Sequence, residues 1–320
     1  MINFRFHVAS LIAVFLALAL GVLMGYGVLS QPTVSGLQHR IDTVENNANA
    51  RKRENDALHD QLSQLQGYVD GTAQFATTGR LDGVTVVVLA ARGVNADAVT
   101  KTVELLRQAG AKVPGVFWLE PKWSLGNATD VKALGDAIDK TERNPVALRA
   151  DAWTAVAQRL AVGDAAAAQV GSGRPDVLQR LSDAGFIKLE GVGDVSTSDF
   201  SFAGYPGRQA RALLIAGTGE KVSAAVLINP AASALGAAKV PTVASEVFQQ
   251  QDNGPDRGAL LADIRSDQSL DQVVATVDDL DLEQGRVIGV LALADLARGA
   301  VGHYGYGAGA TRSVPPWPHS

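Results

Sequence analysis

From Val8 to Leu29 the chain runs VASLIAVFLALALGVLMGYGVL, apolar at nearly every position and without a charge. At about 1.5 Å of rise per residue such a run makes a helix of roughly 33 Å, enough to cross a hydrocarbon core of about 30 Å. The pattern therefore predicts a transmembrane helix, with Val8, Leu16, Gly21, Gly25 and Leu29 along it. It exceeds the roughly 7–15 apolar residues of a secretory leader and follows one basic side chain, Arg5, which favours an uncleaved signal anchor. Small residues at Val28 and Ser30 keep a cleaved leader, with a mature chain from Gln31, as the alternative. Gly21 and Gly25 form a G-x-x-x-G, a spacing that lets two membrane helices approach closely.

Beyond Pro32 the apolar positions return in alternating steps of four and three: Leu37, Ile41, Val44, Ala48, then Arg51 and Asn55, then Leu58, Leu62, Leu65 and Val69. This is the seam of a coiled coil, and with Leu37 at d it puts Asn55 at an a position, where a buried amide favours a two-stranded parallel pair. The expected product is a parallel homodimer through residues 37–69. Its stalk would be roughly 50 Å long. A single amphipathic helix packed on its own domain is the alternative.

After Gly67, Gly71 and Gly79, expected to punctuate the end of the stalk, the period changes. Val84–Ala90 and Val113–Leu119 read as strands around a helix from Ala96 to Gln108, with Pro114 at the second strand's start and Gly110 closing the helix. This is the order of a parallel sheet. Helices follow at Asp130–Asp139, Asp151–Val162 and Pro175–Ala184, with a small-residue loop over 164–174. Strands are expected at Phe186–Leu189, Ala212–Ala216, Ala224–Ile228 and Val240–Ala244, and a last one at Val273–Val277. Asp281 is expected to cap a helix from Leu282 to Ala297, with Gln284 in the capping-box position. The glycine-rich and then proline-rich remainder reads as a packed loop and a frayed tail. The chain thus divides into a tip and signal anchor (1–30), a coiled-coil stalk (31–79), a three-layer, mostly parallel α/β domain (80–310) and a Pro-rich tail (311–320).

Composition narrows the chemistry. The 320 residues are 47% hydrophobic and 19% charged with a net charge of -5. Without a basic cluster, nucleic acid is not the expected partner. The absence of cysteine removes disulfides, thiolate metal sites and thiol nucleophiles. A short N-terminal tail and a large mixed-charge region behind the span favour an N-in topology with an extracytoplasmic domain.

Motifs for catalysis are missing. The first strand-to-helix turn, Ala90–Asn95, has a single glycine, so the dinucleotide fingerprint is absent. Gly217-Thr218-Gly219-Glu220-Lys221 lacks the phosphate-loop spacing and reads as a turn between two strands. No G-x-S-x-G elbow is present. The expectation is a protein that is not an enzyme. For metals, soft Cu(I) prefers Cys and Met while Cu(II) accepts imidazole. The chain offers Met1, Met24 and five scattered histidines. His303, His39 and His59 are the candidate ligands, the last two able to meet their counterparts only across a dimer. Asp278, Asp279, Asp281 and Glu283 could hold a hard cation, or serve as loop and helix-cap carboxylates.

Two terminal blocks, MINFRFHVASLIAVFLALALGVLMG and TVDDLDLEQGRVIGVLALADLARGAVGHYGYGAGA, resemble the actinobacterial family named for mycobacterial copper transport protein B. With the element order between them, the resemblance covers nearly the full chain. It implies a cell-envelope protein of copper homeostasis, described for the family as an outer-membrane or channel-like exporter, with copper as its cargo. The residues themselves supply one span, a dimeric stalk and a soluble domain without a pore. Copper handling as a membrane-anchored component is therefore set beside a scaffold or receptor for an envelope-biogenesis or division partner, and an exported enzyme comes third.

Overall fold

The computed structural model describes residues 4–28, 32–141, 143–162, 175–193, 195–197, 200–202, 205–206, 210–218, 223–250 and 254–316. The chain divides into two units, Met1–Gln66 and Gly67–Ser320.

In the first unit, α1 spans Phe4–Val28 and α2 begins at Pro32 and continues to Thr77 in the second unit. Helix α1 starts four residues before the expected span, so it includes Arg5 and His7; Leu29 lies outside the described residues. Phe4–Gly25 is long and apolar enough to cross a membrane. Leu11, Ile12, Val14 and Leu20 point around the whole helix circumference and are all exposed, a surface that suits lipid and not water. Neither Gly21 nor Gly25 has any atom near the position of an added Cβ. Helix α2 does not break at Gly67 or Gly71. It ends at Thr77, followed by Gly79 at a φ of 72°.

The second unit is built on a sheet. Among the described residues seven strands pair in the order β3-β2-β1-β4-β5-β6-β7: β1 Val86–Ala91, β2 Val116–Leu119, β3 Ile187–Glu190, β4 Arg211–Gly217, β5 Thr242–Val247, β6 Val274–Val277 and β7 His303–Tyr304. Every pairing is parallel except β2 with β3. Six helices surround it: α3 Ala96–Gln108, α4 Ala128–Ile138, α5 Pro145–Val162, α6 Val177–Asp183, α7 Ala224–Ala237 and α9 Glu283–Asp295, with a short α8 at Ala262–Ser266. Strands β1, β2, β5 and β6 are buried at every position, which requires cover on both faces. The helices form two packed groups, α3 with α9 and α4 with α5, α6 and α7. This gives the three-layer, mostly parallel α/β arrangement expected from the sequence.

Local chemistry explains the boundaries. Asn95 caps α3 by accepting from the Asp97 and Ala98 amides, and Gly110 leaves it at a φ of 92°. Val99, Val103 and Leu106 face the core, as do Trp153, Val156, Ala157 and Leu160 of α5. Trp153 stacks on Trp123 at 4.9 Å, and the Trp123 indole N–H donates to the Phe186 carbonyl at 2.9 Å. That contact fastens α5 to the turn after β2.

Four expectations are corrected. Ala224–Ile228 is the start of α7 and not a strand. Leu227, Ile228, Ala231, Ala232 and Leu235 are buried, a helical spacing that a five-residue apolar run cannot reveal. Gly217 and Thr218 consequently lead from a strand toward a helix, while 219–221 lie outside the described residues, as does 164–174. Pro114 precedes β2, which begins at Val116. The last strand is β7, inside the glycine-rich remainder.

Candidate functional site

The carboxyl ends of β5, β6 and β7 bring together a cluster of carboxyl and guanidinium groups. Glu246 lies in β5. Asp278, Asp279 and Asp281 follow β6, and the loop after β7 folds back over them. Asp278 is fully buried, and its carboxylate accepts three hydrogen bonds: from Arg265 Nη2 at 2.8 Å, the Gly307 amide at 3.1 Å and the Tyr306 amide at 2.9 Å. Gly305 makes this possible. Its φ is 121°, and a Cβ there would collide with the Asp278 carboxylate.

Arg265 comes from α8. Besides Asp278 it donates to Thr276 Oγ1 at 2.9 Å, the Tyr304 carbonyl at 3.1 Å and the Ala308 carbonyl at 2.7 Å. Thr276 Oγ1, having accepted from Arg265, sits 3.0 Å from His303 Nδ1. The direction of that bond follows the His303 tautomer, since the hydroxyl can donate to Nδ1 or accept from it. Burial, reinforced by the Arg265 charge, pushes the His303 pKa down, which favours the neutral ring.

Arg257 binds Asp281 through both nitrogens, at 2.7 and 2.9 Å, donates to the Asp278 carbonyl at 2.9 Å, and lies over the Phe248 ring at 4.5 Å. Asp281 also accepts from the Phe248 amide at 3.2 Å. It is therefore an anchor for the segment after β5 and not the expected helix cap. The N-cap of α9 is Leu282, without a side-chain bond, and Glu283 is taken by Arg286.

Two carboxyls remain. Glu246 and Asp279 are fully buried. Glu246 Oε2 accepts from the Gly258 amide at 3.0 Å, but among the described residues Glu246 Oε1 and both oxygens of Asp279 have no hydrogen-bond partner. Burial pushes Glu246 up to about 7, with the Asp278 charge adding to the rise. Burial likewise takes Asp279 to about 7, again with Asp278 as the main charged contributor.

A second charged feature lies at the other side of the sheet. Arg92, directly after β1, joins Glu120 at 2.6 Å and Glu190 at 3.0 Å and stacks on Trp118 at 4.5 Å. The Arg92 hydrogen bond holds Glu190 below the usual carboxylate range. These side chains, with Lys122 and Lys188, line an open groove of about 590 Å³. Sequence reasoning used Arg92 only to reject a nucleotide turn. The reversal of strand order between β1 and β4, where α/β sheets often bind ligands, is narrowed by a side chain: a Cβ at Gly217 would lie 3.0 Å from Val94 Cγ2 and 3.1 Å from the Val247 carbonyl.

The metal candidates do not converge. Among the described residues no group of three or more His, Asp or Glu side chains could hold an ion. His303 is committed to Thr276, and His39 and His59 are exposed on α2. Of the proposed seam, Leu37, Ile41, Val44, Leu58, Leu62 and Leu65 are between 51% and 67% exposed in the single chain, and Asn55 is exposed with them. Val69 is half-buried within the second unit, next to buried Ala73 and Thr77.

Residues 1–315 match the family described as copper transport outer membrane protein, MctB. The chain is similar to the copper transporter MctB of Mycobacterium tuberculosis (strain ATCC 25618 / H37Rv), 27% identical over 319 residues, covering 97% of this chain and 98% of the relative. The copper transporter MctB of Mycobacterium leprae (strain TN) is 27% identical over 335 residues, covering 99% of this chain and all of the relative, 100%.

Proposed function

We propose a role in copper handling at the cell envelope for this chain, which belongs to the family described as copper transport outer membrane protein, MctB. The match across residues 1–315 is the observation that carries this reading. Efflux is the direction proposed, with the protein acting as a membrane-anchored component and without catalysis. One candidate span among the described residues cannot enclose a conduit within one chain, since an α-helical pore needs several helices around it. A conduit would need several chains. The anchor is α1, placed N-in with the second unit extracytoplasmic, and the cargo ion would be handed on or bound at an assembly and not in a cage inside one chain.

Copper content of a deletion strain tests the biological half. Accumulation above the parent strain, reversed by the intact gene, is expected; equal copper would remove the reading. Calorimetry of the purified full chain with Cu(I) and Cu(II) then separates direct binding from an indirect role.

A second reading is favoured by the exposed apolar stripe of α2. Leucine and isoleucine at coiled-coil spacing, left in water in the single chain, support a parallel homodimer that presents the second unit to an envelope partner. Tethering in one membrane would aid it by raising local concentration. Crosslinking in membranes, followed by identification of the linked chains, reports dimer and partner together.

A further inference from the structure

At the carboxyl ends of β5 and β6, four carboxyl groups meet two guanidinium groups. Arg265 neutralises Asp278 and Arg257 neutralises Asp281. Among the described residues the one cation that both Glu246 and Asp279 face is Arg257, already bound to Asp281. Glu246 faces Asp278 and Arg257 as well as the Gly258 and Leu260 amides; Asp279 faces Asp278, Asp281 and Arg257. From α9, Glu283 is already paired with Arg286. From β7, His303 is bonded to Thr276, and burial with the Arg265 charge favours its neutral form. The first turn of α9 closes over Asp279 so tightly that a Cβ at Gly285 would strike its carbonyl and carboxylate. Two ionised carboxylates at these positions would be buried with no cation of their own among the described residues, a state that proteins avoid by keeping the proton.

Glu246 is tied to the first of two loops that hold each other, and Asp279 faces Arg257 of that same loop. Glu246 Oε2 receives the Gly258 amide, and the Ala308 amide donates to the Arg257 carbonyl at 3.3 Å. A Cβ at Gly258 would lie 3.0 Å from Gly307 Cα. The segment 254–258 and the loop 305–309 are thus fastened to each other and, through Glu246, to the sheet.

We propose that Glu246 and Asp279 form a proton-operated latch that keeps the loops 254–258 and 305–309 closed on the sheet end while the two carboxyls carry their protons. Release of each proton to solvent leaves a buried negative charge beside Asp278, and the loops open to let water reach it. The device is independent of the copper reading. It acts through carboxyls that the charge pairing leaves over and needs no metal.

Hydrogen exchange of the full chain in detergent tests this, comparing peptides covering 254–261 and 303–310 at about pH 5.5 and about pH 8.5 after correction for intrinsic rates, with a β1 peptide as reference. About tenfold faster corrected exchange of both peptides at the higher pH, with β1 unchanged, is expected. In the double variant Glu246→Gln, Asp279→Asn that difference should vanish. Equal protection at both pH values in the wild type, or a difference that persists in the double variant, would overturn the latch. Should the double variant fail to fold, infrared titration of the wild type decides: a protonated carboxyl band lost near neutral pH supports the proposal, and its absence at about pH 5.5 overturns it.

Discussion

Arg265 and Asp278 meet at 2.8 Å with 3% and 0% of their side chains exposed. The pair joins α8 to the end of β6, and the two loop amides that complete the Asp278 carboxylate join the chain after β7 to the same point. Removing one partner of such a buried pair costs more than the pair contributes, because the other charge is left in a medium that solvates it poorly.

Arg265→Met should therefore destabilise the full chain by about 3–5 kcal/mol in denaturant unfolding. Asp278→Asn should cost less, about 1–3 kcal/mol, since an amide oxygen still accepts from a loop amide. A smaller loss for the arginine variant than for the asparagine variant would contradict this account.

Gly305→Ala tests the backbone that wraps Asp278. A side chain at a φ of 121° is strained, and its Cβ would occupy the carboxylate's place. The expected cost is about 1–3 kcal/mol. Gly299→Ala serves as control: its φ of 72° is also positive, but no atom lies near its Cβ, so the loss there should be smaller.

Stability should fall as pH rises from about 4 to about 7, and the contribution of these groups should level off above that. The folded chain retains the Glu246 and Asp279 protons up to about 7, whereas the unfolded chain releases them near 4.5 and 3.8. Across that interval the folded state binds more protons, so alkalinity favours unfolding. Melting temperature against pH reads the slope, and Asp279→Asn should flatten it and raise stability above pH 7. A melting temperature that climbs through this interval in the wild type and is unaffected by Asp279→Asn would contradict the assignment.

The lack of native cysteine makes the stalk simple to probe. In a parallel two-stranded coil, Leu58→Cys at a d position should give a disulfide-linked dimer under mild oxidation. Asp60→Cys, on the outer face, should give little. Equal linkage at both positions would count against the seam, and Asn55→Ile should strengthen association where the seam is real.

Much of the fold was legible because the central strands are buried on both faces, which leaves short β-branched runs such as Val86–Val88 with no need for alternation. Helices α3 and α5 were equally clear, since each has one apolar face and one wet face. The misread Ala224–Ile228 belongs to a helix packed against both β4 and β5 and against α5. Enclosed in that way it carries apolar residues around most of its surface, and no period survives in so short a window. Strand β7 was missed because its two residues are held by Thr276 and Val277 across the sheet and not by any pattern of their own.

The candidate site divides in the same manner. Asp278, Asp279 and Asp281 stood out as an acidic run, but adjacent letters say nothing about which carboxylate will find a cation. Arg265 and Arg257 reach their partners from 13 and 24 positions away along the chain, and Glu246 joins them only because β5 lies beside β6. The sequence by itself determined the apolar helix, the heptad spacing and the alternation of strand and helix, since each follows from local periodicity and the need to bury apolar surface. Tertiary structure alone decided that Asp278 is paired while Asp279 is not, because charge pairing depends on distances through space that only strand order and loop closure establish.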